Sequence, residues 1–213
     1  MFKVQVWFGV LVVDDHELVR SGITRMLADN PDIEVIGEAS SGEDAIDSVR
    51  KDSPDIVLMD IRMPGIGGLE ATRRILRIDD AVRVIVVTAC ADDPYPTRVM
   101  QAGASAYITK GADIKEMVRA IRMAHSGQRY ISPEIAQNMA LKQLGGDARD
   151  EDGELSLFDR LSEREIQMAI MVVDCQNVQD LSDQHCLRPK TVNTYHYQLC
   201  ETLAIPSHGE LAP

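Results

Sequence analysis

Five residues have the side-chain types needed to hold a divalent cation and to accept a phosphoryl group. They are Asp14, Asp15, Asp60, Thr88 and Lys110. Three carboxylates that meet at one point repel one another, and a ligand set made only of oxygen atoms suits Mg²⁺. One carboxylate could then attack phosphorus as a nucleophile. Lys110 would offset the charge on the phosphoryl oxygens, and Thr88 would offer its hydroxyl to one of them.

The elements that must position these residues are short apolar runs that alternate with amphipathic segments of helical length. The runs are 10–15, 34–40, 55–60, 82–89 and 105–110, and the helical segments are 16–29, 42–52, 68–77, 95–102 and 113–125. Runs such as IVLM and VIVV are apolar throughout, which is typical of strands buried on both faces. Strand followed by helix, five times over, predicts an α/β fold with a (βα)5 doubly wound parallel sheet of flavodoxin-like type.

The reactive residues lie at the carboxyl ends of the predicted strands, where ligands bind in doubly wound sheets. The first run ends in Asp14 and Asp15, the third in Asp60, the fourth near Thr88 and the fifth in Lys110. Each residue alone has a common structural explanation, such as a helix cap for an Asp pair. It is improbable that residues of suitable type fall at the carboxyl ends of four strands by chance. The sequence therefore predicts a cation and phosphoryl-acceptor site at this edge of the sheet.

A different pattern follows residue 126. Residues 131–144 predict one more helix, with Ser132 as its N-cap and Pro133 in its first turn. Residues 145–154, GGDARDEDGE, contain no apolar run and indicate a domain linker. We therefore predict a first domain at 1–125, a linker at 126–157 that contains a helix at about 132–144, and a second domain at 158–213.

The second predicted domain contains helices only. Residues 161–173 begin with a capping box formed by Ser162 and Glu165, and further helices are predicted at 178–186 and 188–203. The tight turn between the last two helices is typical of a helix-turn-helix. The sequence therefore predicts an all-α second domain.

Composition excludes several classes of protein. The net charge is −12, from 22 Lys and Arg against 34 Asp and Glu, which disfavours a general polyanion binder. No run reaches the roughly 18 apolar residues of a membrane span, and the apolar amino-terminal run predicts a buried strand rather than a signal peptide. The four cysteines are scattered, as is typical of reduced thiols. We expect a cytoplasmic protein without a membrane partner.

Four motifs resemble those of response-regulator receiver domains: VVDDH (12–16), VLMDIRMPGIGGLEATR (57–73), VVTA (86–89) and AYITK (106–110). The chain as a whole resembles the NarL/FixJ family of two-component response regulators. PGIGGLEATR, GQRYISPEIAQ, LSEREIQ and KTVNTY make it similar to the GacA/UvrY/SirA type. The resemblance implies a receiver domain followed by a LuxR-type helix-turn-helix domain. It implies no enzyme activity other than Mg²⁺-dependent phosphorylation and dephosphorylation of the protein itself.

The resemblance also implies a role for each acidic residue. Asp60 is the phosphoryl acceptor. Mg²⁺ is held by Asp15, Asp60 and the backbone carbonyl of Arg62, while Asp14 acts through water.

Three further residues receive roles in the same way. Lys110 contacts the phosphoryl oxygens, and Thr88 and Tyr107 form a switch. Thr88 moves toward the phosphate, and Tyr107 turns inward into the space that Thr88 leaves.

The implied partners are a sensor histidine kinase of the BarA/GacS type, double-stranded DNA and a second copy of the chain after phosphorylation. The recognition helix would lie at 188–203. Its implied contacts with the groove or the phosphates are Lys190, Thr191, Asn193 and Thr194.

Two features favour an alternative in which the receiver signals through protein contacts only. From residue 156 onward, four basic residues stand against eight acidic ones, which is unfavourable for neutralising DNA phosphates. The chain also stops at SHGELAP, where members of the resembled family continue into a fourth helix, so we expect the second domain to be truncated. A phosphatase with an aspartyl-phosphate intermediate is disfavoured, because such enzymes place the nucleophile in a D-x-D motif on the first strand.

Overall fold

The computed structural model of the chain describes residues 7–89 and 96–144. The strands are β1 (Phe8–Val13), β2 (Ile33–Ala39), β3 (Ile56–Asp60), β4 (Arg83–Thr88), β5 (Ala106–Thr109) and β6 (Tyr130–Ile131). The helices are α1 (Glu17–Leu27), α2 (Gly42–Asp52), α3 (Gly67–Ile78), α4 (Pro96–Gln101), α5 (Ile114–His125) and α6 (Pro133–Leu144).

The strands form a single parallel sheet in the order β2-β1-β3-β4-β5-β6. Side chains alternate between the two faces of the central strands, and each face supports its own apolar core. One core contains Val10, Val12 and Ile121, and the other contains Leu11, Val57 and Ile75. The doubly wound α/β fold predicted from the alternation of strand and helix is therefore confirmed for the first part of the chain.

The sixth strand was not predicted. It contains only Tyr130 and Ile131, a length at which side-chain periodicity carries no signal. The backbone amide of Tyr130 donates to the carbonyl of Ser105 at 3.1 Å, and that of Ser132 donates to the carbonyl of Tyr107 at 3.0 Å. Helix α6 begins directly afterwards at Pro133. The segment that follows α5 is thus hydrogen-bonded to β5.

The first strand begins two residues before the apolar run 10–15, within the amino-terminal segment that is predicted to be a buried strand. β1 starts at Phe8, whose ring is buried and lies 4.1 Å, between ring centroids, from that of His125 on α5. Trp7 is 61% exposed. The first strand therefore gains two residues, and one of the two aromatic side chains at its start packs against the fold.

The chain divides into two compact units, Met1–Leu141 and Lys142–Pro213. The sheet, α1–α5 and most of α6 belong to the first unit. The predicted helix-turn-helix at 158–213 lies outside the described residues. None of the described helices is long and apolar enough to cross a membrane.

The turn between Asp60 and α3 brings two stretches of backbone into close contact at Gly68. The amide of Gly68 donates to the carbonyl of Ile61 at 3.0 Å, and a Cβ atom added to Gly68 would overlap the carbonyl oxygen of Asp60. Gly65 and Gly67 in the same turn have φ angles of 81° and 68°, a region that glycine adopts at little cost. Only glycine at position 68 lets α3 begin this close to Asp60.

We expect Gly68→Ala to lower the free energy of unfolding by about 2 kcal/mol or more, because the Asp60 backbone must move. Gly22→Ala is the matched control. Gly22 lies inside α1, no heavy atom lies within 4 Å of its added Cβ, and alanine there should raise stability by up to about 1 kcal/mol. Urea denaturation of the full chain measures both. Equal midpoints for the two variants would contradict the close contact at Gly68.

Candidate metal and phosphoryl-acceptor site

Four neighbouring strands deliver the predicted site residues to one edge of the sheet. Asp14 follows β1, Asp60 ends β3, Thr88 ends β4 and Lys110 follows β5. These strands are adjacent in the order β1-β3-β4-β5 and are all parallel, so their carboxyl ends meet. Four of the five residues that the sequence predicts at this edge therefore lie at the ends of adjacent strands.

The ammonium group of Lys110 lies between two buried carboxylates. Its Nζ is 2.6 Å from Oδ2 of Asp14 and 2.8 Å from Oδ2 of Asp60. Asp14 and Asp60 are 2% and 3% exposed, and the Lys110 side chain is 19% exposed. Two carboxylates at this depth need a nearby positive charge, because burial without pairing is costly. Lys110 supplies that charge.

The pKa values of Asp60 and Lys110 reflect their burial and their attraction for each other. Burial raises the pKa of Asp60 above its ordinary value and the charge of Asp14 adds to the rise, while Lys110 opposes both. For Lys110, burial disfavours the charged form, but the carboxylates of Asp60 and Asp14 outweigh it and raise the pKa. Lys110 is therefore a firmly protonated cation, and it compensates Asp60 only in part.

Asp15 and His16 extend the acidic cluster toward solvent. Nδ1 of His16 lies 2.9 Å from Oδ1 of Asp15 and 3.4 Å from Oδ1 of Asp14. One ligand atom from each of Asp14, Asp15 and His16 lies within 4.8 Å of the others, a spacing suited to holding a metal ion. The sequence reasoning assigned no role to His16. Its position immediately after the Asp pair was the one signal that could have indicated it.

The remaining receiver residues lie around Asp60. The backbone amide of Arg62 donates to Oδ1 of Asp60 at 3.3 Å, which places the Arg62 backbone beside the acceptor carboxylate. Thr88 and Tyr107 are both buried, and Tyr107 is 0% exposed. The movement of Thr88 and Tyr107 that the resemblance implies stays a prediction. Lys190, Thr191, Asn193 and Thr194 lie outside the described residues.

The chain is similar to known proteins over most of its length. Residues 10–122 match the response regulator receiver domain. Response regulator GacA from Pseudomonas aeruginosa is 58% identical over 203 residues, which cover 95% of this chain and 92% of the relative. Response regulator UvrY from Escherichia coli strain K12 is 50% identical, and the match covers 95% of this chain and 90% of UvrY.

Solved structures show the same relationship. A two-component response regulator of the LuxR family from Aurantimonas sp. SI85-9A1 is 38% identical, with a TM-score of 0.62, and the match covers 65% of this chain and 99% of that one. The response regulator ChrA of a heme-sensing two-component system is 27% identical, with a TM-score of 0.55, over 94% of this chain and 92% of ChrA.

The position of Lys110 between two buried carboxylates supports a prediction about stability. We expect Lys110→Met to lower the free energy of unfolding at pH 7 by about 3 kcal/mol, because two buried charges lose their partner. The pKa of Asp60 would rise further. Stability would then fall as pH rises from the ordinary carboxyl pKa through the raised value in the folded protein, so the deficit should be smaller at pH 4.5 than at pH 7.

Lys115→Met is the matched control, since Lys115 is an exposed lysine near the start of α5 and should change stability little. Urea denaturation at the two pH values measures both variants. A Lys110→Met variant as stable as the control at pH 7 would show that the buried carboxylates do not depend on Lys110.

Proposed function

This chain belongs to the response regulator family, and we propose that a sensor histidine kinase of the BarA/GacS type phosphorylates it on Asp60. The observation that carries the proposal is the buried pair of Asp14 and Asp60 bridged by Lys110 at 2.6 and 2.8 Å. The similarity to GacA and UvrY along 95% of the chain supports it. The scattered cysteines support a cytoplasmic location.

The proposed reaction is transfer of a phosphoryl group from a phosphohistidine to a carboxylate. An oxygen of Asp60 attacks phosphorus, the new P–O bond forms, and the P–N bond to the donor imidazole breaks, with the leaving nitrogen taking a proton. Lys110 already lies 2.8 Å from Oδ2 of Asp60, so its ammonium is positioned to neutralise charge on the transferred group. Thr88, buried at the end of β4, would offer its hydroxyl to a phosphoryl oxygen.

The donor set fits Mg²⁺. Asp15, Asp60 and the backbone carbonyl of Arg62 would hold the cation, with Asp14 acting through water. When bound, Mg²⁺ supplies positive charge to the phosphoryl oxygens as the bonds change. The proposal includes no other enzyme activity. Phosphorylation and dephosphorylation of Asp60 would be the whole of the chemistry.

The output of the proposed switch is DNA binding through the predicted helix-turn-helix, with pairs of chains bound after phosphorylation. Support comes from the KTVNTY segment. It also comes from the backbone hydrogen bonds between β5 and the segment that leads into α6. The carbonyl of Tyr107 accepts the amide of Ser132, and α6 begins at the next residue. A shift of the Tyr107 backbone would therefore move Ser132, the residue that precedes α6. Lys190, Thr191, Asn193 and Thr194 would contact the DNA.

An alternative output is signalling through protein contacts only. The charge of the segment from residue 156 onward favours it, because eight acidic residues against four basic ones oppose the approach of DNA phosphates. The two outputs share the phosphorylation step and differ in whether phosphorylated protein binds duplex DNA.

We expect Asp60→Asn to abolish labelling by radioactive acetyl phosphate in the presence of MgCl₂, because the amide is not a nucleophile for phosphorus. Labelling of the wild type should disappear when EDTA removes the cation. Asp47→Asn is the matched control, since Asp47 is an exposed acid on α2 and its loss should leave labelling unchanged. Stable label on Asp60→Asn would refute the site.

We expect the phosphorylated full chain to retard a subset of random-sequence DNA duplexes at lower protein concentration than the unphosphorylated chain or Asp60→Asn. Lys190→Ala should weaken binding and reduce the slope of log K against log salt by about 1, because one phosphate contact is lost. If fully phosphorylated protein retards none of the duplexes at any protein concentration, DNA binding is rejected in favour of signalling through protein contacts.

A further inference from the structure

Arg20 on α1 is a largely buried charged residue to which phosphoryl transfer assigns no role. Its side chain is 15% exposed, and its Nη1 donates a hydrogen bond to the backbone carbonyl of Asp14 at 2.6 Å. An arginine that directs its guanidinium at a main-chain carbonyl forms a strong, charge-assisted hydrogen bond. The carbonyl in question belongs to the peptide that joins the two adjacent acids, Asp14 and Asp15.

A second contact fixes the direction of the guanidinium group. Nε of Arg20 lies 3.5 Å from Oε2 of Glu38 on β2, and Oε1 of Glu38 accepts the hydroxyl of Thr24 at 2.9 Å. Arg20 and Thr24 lie one helical turn apart on α1. The guanidinium is therefore held between a helix and a strand while it contacts Asp14.

The backbone around Asp14 is held at its other end as well. The amide of Asp14 donates to the carbonyl of Ala39 at 3.2 Å, and Oδ1 of Asp14 accepts the amide of His16 at 2.9 Å. With Arg20 on the carbonyl, the hydrogen-bonding groups on both sides of the Asp14 Cα are engaged. This backbone sets the directions in which the side chains of Asp14 and Asp15 leave the main chain.

We propose that Arg20 is a positioning residue that fixes the Asp14–Asp15 peptide and thereby aligns both carboxylates for a divalent cation. It acts through its hydrogen bond to the Asp14 carbonyl and not through a direct electrostatic effect of its charge on the cation. The proposal rests on the proposed function, since it concerns the cation that phosphorylation of Asp60 requires.

The two roles that Arg20 could have predict opposite effects on cation binding. A positive charge near a cation site repels a divalent cation, so removing the charge alone would tighten Mg²⁺ binding. Removing a group that aligns the ligands would weaken Mg²⁺ binding, because a preorganised site loses its geometry. The sign of the change in Mg²⁺ affinity therefore separates positioning from electrostatics.

The test is isothermal titration of the full-length, unphosphorylated protein with MgCl₂. We expect Arg20→Met to raise the Kd for Mg²⁺ at least about fivefold, since loss of supporting contacts of this kind typically costs about 10–100-fold in metal affinity. Arg20→Lys keeps the charge but cannot serve both the carbonyl and Glu38, so its Kd should also rise. Arg25→Met is the matched control. Arg25 is exposed on the same helix, and its loss changes the net charge equally.

A second readout separates positioning from general damage to the fold. At saturating Mg²⁺, the labelling rate of Arg20→Met with acetyl phosphate should return to within about twofold of the wild-type rate, because the positioning defect is overcome by mass action. Thr24→Val keeps every charge and the Asp14 contact, and it only loosens Glu38, which holds the guanidinium. It provides a milder variant, with an expected rise in Kd of about twofold, if Arg20→Met does not fold.

The outcomes are distinguishable. A Kd for Arg20→Met that is unchanged or lower than that of the wild type overturns the positioning role, and so does a labelling rate that stays low at saturating Mg²⁺. If the wild type itself neither binds Mg²⁺ nor takes up label, the proposed function fails, whatever Arg20 does.

Discussion

The need to compensate two carboxylates buried at the edge of the sheet governs the structure of this chain. Asp14 and Asp60 are almost inaccessible to solvent, and the ammonium of Lys110 lies within 2.8 Å of both. Lys110 follows β5, while the acids follow β1 and end β3, so the ion pairs connect three strands. A buried ion pair stabilises a protein little more than well-packed apolar side chains of similar volume would, but removing one partner of the pair is costly. Stability alone therefore does not account for the cluster.

That constraint extends into the backbone. For Asp60 to end a strand and remain at the site, the chain must turn at once, and α3 must start beside the carbonyl of Asp60. Gly68 permits this contact because it has no side chain. On the other side, Arg20 holds the carbonyl of Asp14 from α1. The acidic side chains are therefore positioned by groups whose importance comes from their contact with main-chain oxygen atoms and not from reactivity.

This difference explains what could be predicted from the sequence. The β-branched runs and the acids at their ends predicted the doubly wound sheet and the meeting of Asp14, Asp60, Thr88 and Lys110, because strand direction alone determines where strand ends lie. The contacts of Arg20 with Asp14 and of Gly68 with Asp60 depend on helix docking, which no local pattern encodes. The two-residue β6 is too short for periodicity to reveal. Phe8, at the start of β1, packs against His125, which lies far away in the sequence on α5. No local pattern encodes such a contact.

The sixth strand also limits how a change at the site could reach α6. β6 is bonded to main-chain groups of β5, with the Tyr107 carbonyl accepting the amide of Ser132. Rotation of the Tyr107 side chain breaks none of these bonds, because they involve backbone atoms only. Tyr107 is also fully buried, so its ring can move only if the neighbouring side chains move too. A signal that follows this path must therefore shift β5 and β6 together, carrying the start of α6 and its buried Ile135 with them. A displacement of β5 reaches α6 by this path only while the β5–β6 hydrogen bonds stay intact.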